Sequence, residues 1–142
     1  MIRAVLDANV FVSALISPKG PPGQLIERWL NKRTFDLIVS PAILEELRRC
    51  LGYKGVRKYV KASKDELDAW VTAIGLNAEV VPGVITVDAV EADPDDDKYV
   101  SAAIEGLAQY VVSGDAHLLE LRVYESIRIV KPKAFLDVLD GR

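Results

Sequence analysis

Compact apolar runs and stretches of helical periodicity take turns along this chain. Residues 2–6 (IRAVL) and 35–39 (FDLIV) are short and aliphatic-rich, as buried strands are. Residues 78–81, 109–112 and 127–130 repeat that signature. Between them, apolar residues recur every three or four positions, which predicts helices over 9–16 and 24–30, the latter through Leu25, Ile26, Trp29 and Leu30. Ser17 to Gly23 (SPKGPPG) reads as a turn-rich break. Ser40-Pro41 is a helix start with Ser at the cap and Pro at the first position, running to about Leu51. After a break at 52–55, two more helical stretches carry Leu67, Trp70, Val71 and Ile74. Asp93-Pro94 repeats the cap signal and launches a helix to about Gly106, with Asp93 as the cap. Helices over 116–121 and from Pro132, with Phe135, Leu136 and Leu139, complete the pattern.

Strands alternating with helices imply right-handed crossovers and an α/β fold with a mainly parallel central sheet. The absence of repeats, low-complexity tracts and linkers makes residues 1–142 one expected domain. In such sheets the working site lies beyond the carboxyl ends of the strands, so the residues just after each apolar run are the candidates for chemistry.

Half of the 142 residues are hydrophobic and 27% are charged, the balance of a folded chain rather than a disordered one. No apolar run approaches the roughly 20 residues that cross a bilayer, so no membrane partner is expected. The opening run is broken by Asp7 and lacks a signal-peptide layout, which leads to an expected cytoplasmic location. The single cysteine, Cys50, excludes an internal disulfide and reads as a small buried hydrophobe.

The net charge of −3 conceals segregation. Arg48 to Lys64 holds seven bases (Arg48, Arg49, Lys54, Arg57, Lys58, Lys61, Lys64) and no acid, with Tyr53 and Tyr59 interleaved. That mixture suits phosphate contacts plus stacking on single-stranded nucleic acid. Asp88 to Asp97 holds six acids and no base.

Acids also stand where strands end and helices begin: Asp7, Glu46, Asp97 and Asp115. Carboxylates converging in one cleft repel by about 4 kcal/mol per pair at roughly 4 Å and an effective dielectric near 20, so such a site calls for a divalent cation. Oxygen donors point to Mg²⁺ or Mn²⁺, and the matching chemistry is metal-assisted phosphodiester hydrolysis. In the helix after Ser40, Glu46 lies roughly 100° from the centre of the apolar stripe and Glu45 roughly 160°, so Glu46 flanks the buried face. Asn9 offers an amide that orients a carboxylate or a water, and Ser113 stands beside Asp115 just beyond a strand. In the run DPDDD, Asp96 and Asp97 both border the apolar face of the following helix. An EF-hand is excluded because Lys98 stands where its turn glycine belongs. The lone histidine, His117, provides neither a Ser-His-Asp triad nor a histidine-rich zinc site and reads as a surface residue.

Four segments, LDANVFVSAL, SPAILEEL, DPDDDKYVSAA and YVVSGDAHLLEL, resemble the ordered motifs of PIN domains, in particular the branch of toxin components of toxin–antitoxin pairs. The resemblance covers nearly the whole chain. It implies a three-layer α/β/α sandwich and a metal-dependent endoribonuclease acting on single-stranded or loop RNA, with a 5′-phosphate left on the product. Carried over, the catalytic and Mg²⁺- or Mn²⁺-binding acids are Asp7, Glu46, Asp97 and Asp115, supported by Asn9 and Ser113; Asp96 or Asp93 replaces or assists Asp97. Arg48, Arg49, Lys54, Arg57, Lys58 and Lys61 are the expected RNA surface. A cognate antitoxin and a homodimer are further implied partners. Two other classes fit parts of the pattern: a metal-dependent phosphatase using the Asp after the first strand, and a non-catalytic interaction module whose acids cap helices.

Overall fold

The computed structural model describes residues 1–142 and contains one six-stranded sheet. Strand β1 (Arg3–Leu6) lies at its middle, between β2 (Asp36–Val39) and β4 (Tyr110–Val112). Beyond these lie β3 (Glu79–Val80) on one side and β6 (Ile127–Val130) on the other, and all these neighbours pair in parallel. Only β5 (Val123–Tyr124), at the β6 edge, runs antiparallel.

Alternation along the strands divides the core into two. Ala4 and Leu6 of β1, Leu37 and Val39 of β2, and Val112 of β4 face one cluster of 23 buried residues. Val5, Ile38 and Val111, which share one register row, face a second cluster of 15. Every one of these side chains is essentially inaccessible, as expected of parallel strands covered on both faces. Over the first face pack α1 (Ala8–Ile16), α2 (Pro21–Leu30), α3 (Pro41–Leu51), α5 (Lys64–Asn77) and α8 (Pro132–Leu139). Over the second lie α6 (Asp97–Glu105) and α7 (Ala116–Leu121). The short helix α4 (Lys54–Arg57) links α3 to α5. The fold is therefore a three-layer α/β/α sandwich around a mainly parallel sheet. No helix is long and apolar enough to cross a membrane.

Three local readings are corrected. The prolines expected to break the chain at 17–23 start α2 instead: Pro21 and Pro22 occupy its first turn, where no amide donor is needed. Gly23 is required there, because a Cβ would stand 2.0 Å from the Pro18 carbonyl oxygen. Asp93 does not cap α6 with its side chain; Pro94–Asp96 forms a single 3-10 turn and the α-helix begins at Asp97. The two-residue strand β5 escaped the sequence reading because it is too short to show a period.

Candidate metal centre

Register places the first pair of site residues. Leu6 of β1 stands opposite Val112 of β4, so Asp7 and Ser113 leave the sheet side by side. The Asp7 backbone amide donates to the Val112 carbonyl at 2.9 Å, and Ser113 Oγ donates to Asp7 Oδ2 at 2.7 Å. The other carboxylate oxygen accepts the Asn9 amide at 3.0 Å, which starts α1. Asp7 is 3% exposed and Ser113 is fully buried. Ser113 Oγ also accepts the Asp115 amide at 2.9 Å, while Asp115 Oδ1 takes the amides of His117 (2.8 Å) and Leu118 (3.2 Å) and starts α7. Ser113 is thus the joint between two aspartates that each begin a helix.

Helix α3 brings Glu46 to the same end of the sheet. The Tyr99 hydroxyl from α6 donates to Glu46 Oε2 and accepts the Ala8 amide at 3.2 Å. Burial first, then the Asp7 charge and the hydrogen bond to Glu46, push the phenol well above its ordinary pKa, so it remains a donor. Glu46 Oε1 lies 3.3 Å from Lys98 Nζ, which also lies 3.2 Å from Asp95 Oδ2. Glu45 faces solvent and pairs with Arg49 at 3.4 Å.

The acidic run resolves into distinct tasks. Asp97 Oδ1 accepts the amides of Ala89 (3.1 Å) and Val90 (2.7 Å), so this carboxylate, first choice as a ligand from sequence, holds the preceding loop. Asp96 is 9% exposed, and its buried Oδ2 has no hydrogen-bond partner. Its pKa is raised to about 7, chiefly by burial, then by the charges of Asp115, Asp93, Asp7 and Glu46. Asp96 therefore sits among the candidate ligands. Asp93, Asp115 and His117 each present one ligand atom, all within 4.8 Å of one another.

A buried carboxylate oxygen without a donor costs free energy unless something positive faces it. A divalent ion fits that need, and the surrounding donors are oxygens with one imidazole at the exposed edge. Asn9 is exposed, and with Val10, Ser13, Gly114 and Asp115 it lines a cavity of about 410 Å³ that opens beside the cleft.

None of the six candidate residues of the basic stretch forms an ion pair with Asp7, Glu46, Asp96, Asp97 or Asp115, although the Arg49 charge acts on Asp95. Arg48 donates to Thr72 Oγ1 at 3.3 Å and, with Arg57, Lys64 and Leu67, lines a second cavity of about 310 Å³. Lys54, Lys58 and Lys61 are exposed, as are Tyr53 and Tyr59.

Sequence reading missed Lys98 and Tyr99, while His117, read as a surface or helix residue, is exposed in α7 as expected. Lys98 and Tyr99 become visible only when α6 is laid against α3.

The sequence profile of the PIN domain matches residues 3–117. The uncharacterized protein MJ1680 of Methanocaldococcus jannaschii is 31% identical over 145 residues, spanning 96% of this chain and 90% of that protein. The crystal structure of PAE2754 from Pyrobaculum aerophilum shares the fold with a TM-score of 0.62 at 15% identity, covering 99% of this chain and 91% of the other. PIN domains typically bind divalent metal through acidic residues and act as nucleases. This chain belongs to the PIN-domain family.

Proposed function

We propose that the protein is a metal-dependent endoribonuclease that cuts single-stranded or loop RNA. The observation that carries this reading is Asp96: nearly buried, unpartnered at Oδ2 and within the fields of four other carboxylates. In this reading Asp96, Asp7 and Asp115 hold one Mg²⁺ or Mn²⁺, with Asp93 and His117 at its outer edge. The imidazole biases that edge toward a transition-metal ion such as Mn²⁺. When bound, the ion supplies Lewis acidity, lowering the pKa of water and neutralising phosphate charge.

The chain's own residues supply orientation. Ser113 fixes the rotamer of Asp7 and the backbone of Asp115 through one hydroxyl. Glu46, held by Tyr99 and Lys98, orients the attacking water. The cavity along Asn9 and Asp115 accepts the strand next to the scissile phosphate. Arg48, Arg49, Lys54, Arg57, Lys58 and Lys61 grip the backbone away from the cut, with Tyr53 and Tyr59 available for stacking. The toxin role, a cognate antitoxin and a homodimer belong to the same reading and rest on the motif resemblance, while a cytoplasmic location rests on the opening run, which lacks a signal-peptide layout.

The test is cleavage of a panel of single-stranded and structured RNAs, with single-stranded DNA beside them, in Mn²⁺, Mg²⁺ or EDTA. Cutting that needs metal and disappears in a folded Asp7→Asn protein is the expected result. Undiminished cutting by that variant contradicts the assignment.

A further inference from the structure

We infer that the Lys98 ammonium occupies the place of a second divalent cation, so that the cleft loads one ion rather than two. This rests on the metal-dependent nuclease reading and makes it specific.

Two-ion phosphodiester sites hold their metals about 3.5–4 Å apart and share carboxylates between them. Here the acidic cleft has two unlike halves. On one side, Asp96 keeps a buried oxygen unpartnered, and the donor atoms of Asp93, Asp115 and His117 lie within 4.8 Å of each other. On the other, Glu46 already faces a cation, Lys98 Nζ at 3.3 Å from Oε1, while its Oε2 accepts the Tyr99 hydroxyl. The same ammonium reaches Asp95 Oδ2 at 3.2 Å and so bridges two carboxylates, as a metal ion would.

The placement is built into the helix start. Lys98 lies in the first turn of α6, and helical side chains lean toward the N-terminus, which carries its stem back over Asp95 and toward α3. Its side chain is only 14% exposed, whereas lysine is rarely buried unless paired. Tyr99 is itself pinned by the Ala8 amide, so Glu46 is held in the pose that receives Lys98. A second divalent ion bound to Glu46 would have to expel the ammonium. Lys98 is thus a positioning residue: it neutralises and orients Glu46 while leaving the Asp96 half to the metal.

The experiment counts bound Mn²⁺ on the full chain by titration calorimetry and low-temperature electron paramagnetic resonance. Wild type should bind one ion per chain with an isolated-ion spectrum. Lys98→Met, which keeps the apolar stem and removes the charge, should bind two and show a spin-coupled pair; Lys98→Arg should stay at one. Glu46→Gln gives an independent reading, because it should still bind one ion. Two coupled ions in wild type, one ion in Lys98→Met, or loss of the ion in Glu46→Gln each overturn the inference. A wild-type chain that binds no Mn²⁺ overturns the nuclease reading along with it, whereas two ions overturn the Lys98 inference alone.

Discussion

Asp96 and Asp97 are adjacent in the chain and serve different neighbours. Asp97 Oδ1 closes on the amides of Ala89 and Val90, at 3.1 and 2.7 Å, while Asp96 leaves Oδ2 buried without a partner among the acids of the cleft. The 3-10 turn Pro94–Asp96 passes into α6 between them, and successive helical side chains point about 100° apart. One carboxylate therefore fastens a loop through Oδ1, and the other leaves a buried oxygen unsatisfied.

The raised pKa of Asp96 makes the stability of the metal-free protein depend on pH. Its folded value of about 7 lies above the ordinary 3.8, so the native state holds this proton more tightly than the unfolded chain does. The associated stability is fully present below pH 3.8 and is lost as pH rises through about 7. In EDTA, wild type should lose stability between pH 5 and pH 8 relative to Asp96→Asn, as followed by urea unfolding. Parallel pH profiles for the two proteins would contradict this environment for Asp96.

Leu107 predicts a gain. Helix α6 ends with the Ala108 amide bonded to the Ala103 carbonyl at 2.8 Å and the Leu107 amide to that of Ile104 at 3.2 Å, a Schellman motif. Its left-handed position, φ 54°, is occupied by a leucine that is 79% exposed. A branched side chain is strained there and buries little, so Leu107→Gly should stabilise the protein by about 1 kcal/mol, or roughly 3 °C in Tm. A lower Tm in a calorimetric scan would mean that Leu107 makes contacts outweighing its strain.

Particular residues show why some features are legible in a sequence and others are not. The strands are, because IRAVL and FDLIV are buried on both faces and no helix or loop needs such runs. Glu46 separates from Glu45 because helix α3 has one apolar stripe to measure against. Asp96 and Asp97 do not separate that way: both border the apolar face of α6, and the choice depends on where the 89–90 loop lies. Pro21 and Pro22 mislead because proline both breaks helices and begins them. Lys98 looks like one cation in an acidic run until α3 supplies its second partner.

The basic stretch yields a prediction about binding rather than chemistry. Reversing Arg57, Lys58 and Lys61 to Glu should weaken affinity for single-stranded RNA and flatten its salt dependence, since each phosphate contact contributes to that slope. Binding measured from 50 to 200 mM salt in the Asp7→Asn background, expected to be catalytically silent, isolates this effect. An unchanged slope would remove this surface from the RNA path.

Under the proposed function, Asp96 rather than Asp97 holds the ion that drives RNA cleavage. Single-turnover cleavage in Mn²⁺ by folded Asp96→Asn and Asp97→Asn proteins tests it most directly. Asp96→Asn should be slower than wild type by about 100-fold or more, and Asp97→Asn should stay within about 10-fold, since its amide oxygen still accepts the loop amides. Full activity in Asp96→Asn together with a dead Asp97→Asn would contradict the account.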